Sequence, residues 1–176
     1  MIKNILTYYA TQLSEFLQED FPQPEGIVEV GFIGNNQEGK KNKLLLSLFA
    51  IERETAGGIT SARGSHSGTV IQSAPPLHIN LNIILAAVYD EKRYTEALSA
   101  LSATLLFVQS HPSFSYKGTT YLVEIVTLGC QELNNIWTTL GGQYYPSIMC
   151  RLRRLTFDAG EIKQIGHEVN KPIIDM

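Results

Sequence analysis

His66 lies at the centre of "GSHSG", Gly64 to Gly68, a stretch shaped like the Gly-x-Ser-x-Gly elbow of hydrolases. The elbow works by holding a serine nucleophile on a strained strand-to-helix turn. Here the central position is a histidine and no helical pattern follows. The glycine-rich run before it, "AGGITSARG", lacks the Lys-Ser or Lys-Thr pair that grips phosphate and magnesium, and it opens no helix that would receive an anion. The histidines His66, His78, His111 and His167 have no i, i+4 or Cys-x-x-Cys companions, so metal-ligand spacing is missing; His78 reads as the polar face of a strand. Glu52, Glu54, Glu91, Glu96, Glu124 and Glu132 fall at element ends or on solvent-facing positions, where no pattern makes two of them converge as acid and base. No catalytic, cofactor-binding or metal-ligating residue is assigned. The enzymatic alternative is a small cytoplasmic enzyme using Arg63 and His66 on this loop.

Binding chemistry is denser in "LNNIWTTLGGQYYPSIMCRLRRLTF", Leu133 to Phe157. Trp137 shares one helical face with Leu133, Ile136 and Leu140, which makes Trp137 and Leu140 core anchors. Pro146 pushes the residues before it into an extended conformation, so that of Tyr144 and Tyr145 one ring packs inward and the other is free for a partner. Arg151, Arg153 and Arg154 read either as an anion patch or as forks for carboxylates across a subunit interface.

These residues need elements to hold them. The first residues place Ile2, Ile5, Leu6, Tyr9, Leu13, Phe16 and Leu17 at helical spacing, ahead of Pro22 and Pro24. "GIVEVGFI" and "KLLLSLFAIERE", joined by a Gly- and Asn-rich turn, predict a β-hairpin whose second arm is covered on both faces for part of its length. Thr55 to Pro76 reads as an exposed loop with a short strand at Thr69 to Gln72. From Leu77 the residues Leu77, Ile79, Leu81 and Ile83 alternate with His78, Asn80 and Asn82. After Ile84 both faces are apolar, so the strand runs from a half-covered edge to the centre of a sheet. Asp90 caps a helix with a stripe of Tyr94, Ala97, Leu98, Leu101, Leu105 and Val108, closed by Pro112. Thr119 to Gly129 is another strand.

In "SIMCRLRRLTF", Ile148, Cys150 and Leu152 share one phase while Leu155 and Phe157 share the other. The slip at Arg153 and Arg154 predicts a bulge or a change of neighbour. The remainder, with Ile162 and Ile165, is weakly patterned and lies against a surface or another chain.

With 176 residues, 44% of them hydrophobic, the chain is long enough for one well-filled domain. A net charge of -3 makes nucleic acid a poor partner. Cys130 and Cys150 do not make a disulfide scaffold. Polar residues interrupt the first segment, and no apolar run spans a bilayer, so the expectation is a chain made and folded in the cytoplasm without direct membrane insertion.

Four features occur in order: a Pro-Pro start to an "LNL"-like strand in "PPLHINLNIILAAVY", the Tyr-containing helix after it, the Asn-Asn-x-Trp helix, and the Tyr-x-Pro-Ser strand. Together they resemble the tail-terminator, or cap, proteins of extracellular contractile injection systems, of the antifeeding prophage and Photorhabdus virulence cassette type. The resemblance covers Met1 to Phe157, leaving 158–176 as a C-terminal tail. It implies an α/β (α+β) fold: a mixed, mainly antiparallel sheet flanked by helices, like phage tail terminators. It further implies a structural protein without cofactors, forming a homohexamer that contacts the tail tube protein and the sheath protein at the end distal to the baseplate. It implies assembly in the cytoplasm as part of a particle that is either released from the cell or retained in it. On this reading Arg151, Arg153, Arg154, Tyr144, Tyr145, Ile162 and Ile165 are interface candidates, and Trp137, Leu140 and Pro146 anchor the core. A sheath arm adding a strand would be sought at the Arg-rich final strand and the tail. The alternative within the same machine is a baseplate or tube-initiating component.

Overall fold

The structure, a computed structural model, describes residues 1–22, 26–34, 42–54, 63–66, 69–73, 76–158 and 162–167; for 63–66, 69–73 and 162–167 the description is of the backbone. The elements in chain order are α1 (Ile2–Leu17), β1 (Val28–Val30), β2 (Lys43–Arg53), β3 (Arg63–His66), β4 (Thr69–Ser73), β5 (Leu77–Val88), a 3₁₀ turn (Glu91–Arg93), α2 (Tyr94–Ser110), β6 (Ser113–Tyr116), β7 (Thr119–Ile125), α3 (Cys130–Thr139), β8 (Ser147–Phe157) and β9 (Ile162–His167). Contacts divide the chain into two compact units, Met1–Glu52 with Asn80–Arg154, and Arg53–Ile79 with Leu155–Met176.

A six-stranded sheet runs β1-β2-β5-β8-β7-β6. Antiparallel pairing is direct for β6–β7 and β7–β8. It also follows for β2–β5, where Asn42 donates to the Val88 carbonyl and Glu54 to that of His78. For β5–β8, the Ala87 N–H meets the Pro146 carbonyl at one end and His78 meets Thr156 at the other. The predicted mixed, mainly antiparallel α/β fold is therefore present.

The predicted hairpin of Gly26–Ile33 with the next strand is not. Val28, Glu29 and Val30 pair in parallel with Leu44, Leu45 and Leu46. A parallel pair needs a crossover of about a dozen residues, and Gly31 to Asn42 supplies that length. The Gly and Asn content that imitates a tight turn lies within this crossover, and 35–41 fall outside the described residues.

β5 is the middle of the sheet. With β2 and β8 as neighbours it is buried from Ile79 to Val88, including Asn80 and Asn82, which the alternation had assigned to an open face. β2 is buried at Leu44, Leu45, Leu46 and Ser47 in succession, as expected of a strand covered on both faces. Against one face of these strands sits α3. Trp137, 4% exposed, packs with Ile33, Leu45, Ile84, Ala86, Val88, Tyr145 and Met149, and Leu133, Ile136 and Leu140 flank the cluster.

The other face belongs to α1, whose Tyr9 lies near Cys150, the neighbour of Met149 that points the opposite way. Tyr9 stacks obliquely on Phe107 and Phe114 at 5.7 and 5.2 Å, tying α1 to α2 and to β6. The buried stripe of α2 is Ala97, Ala100, Leu101, Thr104, Phe107 and Val108. Ala97, Leu101 and Val108 of the expected stripe are in it, but Tyr94, Leu98 and Leu105 are exposed, so the stripe is rotated toward Ala100, Thr104 and Phe107. Both stripes have helical spacing. The inward one is chosen because small Ala97 and Ala100 allow close approach, while the buried Thr104 hydroxyl is satisfied by the Ala100 carbonyl at 2.8 Å.

The short strand β6 and the hairpin it makes with β7 were not anticipated. Their loop is Lys117-Gly118, with φ of 50° and 78°, the two left-handed residues of a type I′ turn.

In the second unit β3, β4 and β9 form an antiparallel sheet in the order β3-β4-β9. The expected strand at Thr69–Gln72 is β4, extended by one residue. Arg63–His66, expected as loop, is β3.

Candidate interface surfaces

Along β8 the residues Met149, Arg151 and Arg153 point to the same side, and along β5 so do Asn82, Ile84, Ala86 and Val88. Where α3 covers this face it is apolar. Farther along the strands it becomes polar and forms a closed set of bonds. The Asn82 amide donates to Glu52 Oε1 at 2.6 Å and accepts from Arg151 Nε at 3.0 Å, while Arg151 Nη2 meets Glu52 Oε2 at 3.2 Å. One residue from each of β2, β5 and β8 thus joins in a ring. Only this orientation of the amide serves both the cation and the carboxylate. On the next strand Arg153 Nη1 bonds Glu124 Oε1 at 3.1 Å. These are charge-assisted bonds at partly exposed positions, worth more for fixing strand register than for raw stability.

The three arginines of the sequence reading therefore differ. Arg151 and Arg153 are committed within the chain. Arg154 is exposed, takes φ of 72°, and makes no ion pair among the described residues. Its left-handed backbone is the predicted slip: the buried phase passes from Leu152 to Leu155 across it. The same strand, with the tail, was expected to offer an edge to an added strand; from Cys150 to Arg153 β5 and β7 occupy its two sides. Its pairing with β7 runs from Ile125↔Cys150 to Leu122↔Arg153.

Tyr144 and Tyr145 divide as the proline implies. Tyr145 is 8% exposed within the Trp137 cluster and Tyr144 is 61% exposed, its ring edge-on to Trp137 at 5.6 Å. The α3 end that presents them is closed by a Schellman arrangement: Gly142 N–H reaches the Trp137 carbonyl at 2.7 Å and Gly141 N–H that of Thr138 at 3.2 Å. Gly142 has φ of 81°, which a β-carbon would strain. At the other end the Glu132 carboxylate accepts from the Gly129 N–H at 2.9 Å.

Ile162 and Ile165 lie on β9, opposite Ser73 and Ile71, at the edge of the three-stranded sheet. Arg63 and His66 are the ends of β3, opposite Gln72 and Thr69. The side chains of all four lie outside the described residues, as do 168–176 of the tail. Among the described residues no group of three His, Cys, Asp or Glu side chains gathers as for a metal, and no helix is long and apolar enough to cross a membrane.

The sequence reading missed one surface. Tyr94, Leu98, Leu105 and Leu106 are exposed on α2 beside the exposed Thr95, Glu96, Ser99 and Ser102, a mixed outer side on which four large apolar side chains stand without cover among the described residues.

The family model of the Pvc16 N-terminal domain matches residues 9–171. Among solved structures the fold is similar to the sheath/tube terminator of PVC, an extracellular contractile injection system, in the extended state. The TM-score is 0.62 and identity 11%, over 94% of this chain and 61% of that one. It is also similar to the tube-terminating cap of the anti-feeding prophage, with a TM-score of 0.59 and 13% identity over 97% of this chain and 58% of that one. This chain thus spans about three fifths of the length of either protein. No curated protein matches it.

Proposed function

This chain belongs to the Pvc16 N-terminal domain family, and we propose that it is a structural cap that ends the tube and sheath of a contractile, phage-tail-like injection system. The observation that carries the reading is the family match over nearly the whole chain, together with a shared fold in two proteins that are themselves a sheath/tube terminator and a tube-terminating cap. It acts without catalysis.

Tube and sheath grow as stacked rings, each exposing a site for the next, so growth has no intrinsic stop. A terminator matches the exposed end with one surface and offers no such site on the other. Six copies in a ring at the end distal to the baseplate supply this with modest contacts, since after the first contact the rest are effectively intramolecular. Arg154, Tyr144 and the outer side of α2 are the side chains offered to neighbours, with Ile162 and Ile165 on β9, an edge strand open to strand addition. The chain joins the particle in the cytoplasm and leaves the cell with it.

Electron microscopy of sedimented particles carrying a gold-detectable tag at the exposed Met1 tests this. Label confined to the end opposite the baseplate is the expected result. Label at the baseplate, or a tagged chain wholly in the soluble fraction, overturns it.

A further inference from the structure

We draw no further inference here: the strongest candidate, the open groove between α1 and α2 with Phe16 and Leu106 on its floor and Glu15, Glu19 and Asp20 along one wall, carries nothing because nothing in the structure shows what covers it.

Discussion

The strands β2, β5 and β8 carry two unlike regions. Under α3, Leu45, Ile84, Ala86, Val88 and Met149 close around Trp137 and exclude water. Farther along the same strands, Glu52, Asn82 and Arg151 close on each other and stay partly open to it. On β5 and β8 the two regions share a face, since Asn82 is in phase with Ile84 and Arg151 with Met149. The difference teaches how one set of strands divides its labour along its length. The apolar half needs a helix to cover it and supplies the folding energy. The polar half satisfies its own charges and needs no cover, so it can remain available to solvent or to a neighbouring subunit.

The largest expected effect comes from emptying the apolar half. Trp137→Ala removes the largest side chain of that cluster and should cost about 3–5 kcal/mol, which lowers the melting temperature by roughly 6–20 °C for a chain of this size. Urea unfolding followed by circular dichroism measures it. A loss under about 1 kcal/mol would mean that α3 is not pinned by Trp137, and the contrast drawn above would collapse.

The polar half should respond less and differently. Asn82→Ala leaves a buried site with two charged groups stripped of their bridge, and about 1–3 kcal/mol is expected. Glu52→Gln keeps the shape, removes one charge at a partly exposed position, and should cost below about 1 kcal/mol, shrinking further in salt. Urea titrations of both single variants and the double variant, at low and high salt, separate the two effects. If Glu52→Gln proves the costlier change, the ring is an electrostatic anchor rather than a register device.

Much of this was legible before any coordinates. Trp137 announces itself because a single aromatic-centred helix followed by glycine and proline has few other uses, Leu140 flanks its cluster, and the slip at Arg154 is visible as a break in period. What failed did so for definite reasons. Alternation says which residues share a face but not whether that face is covered, so Asn80 and Asn82 looked open when neighbouring strands had buried them. The helical period leaves open which way the stripe around Ala97, Leu101 and Val108 extends, toward Tyr94, Leu98 and Leu105 or toward Ala100, Thr104 and Phe107, and only the partner's shape chooses. A Gly- and Asn-rich connection suits a hairpin turn and a crossover alike, which hid the parallel pairing of β1. The groove of Phe16 and Leu106 was invisible because its two walls lie on different helices. Nothing in a one-dimensional pattern brings them together.

Cys150 lies between Met149 of the apolar region and Arg151 of the polar one, and points to the opposite face, so it reports on the sheet itself. Burial pushes its thiol from an ordinary value near 9.0 up to about 12, whereas Cys130 is exposed. Because only the thiolate reacts, iodoacetamide at pH 8 should modify Cys130 and spare Cys150 until denaturant is added. The folded state holds the Cys150 proton more tightly than the unfolded chain does. The stabilisation is therefore fully present below pH 9 and is lost between about 9 and about 12, by up to roughly 1.4 kcal/mol per pH unit. Tyr9, also raised by burial, titrates in the same direction, so the comparison must be with Cys150→Ala, whose stability deficit should narrow as pH rises through this window. Equal alkylation of the two cysteines in the native protein would show that β8 opens readily at its centre, and the division of labour along that strand would have to be abandoned.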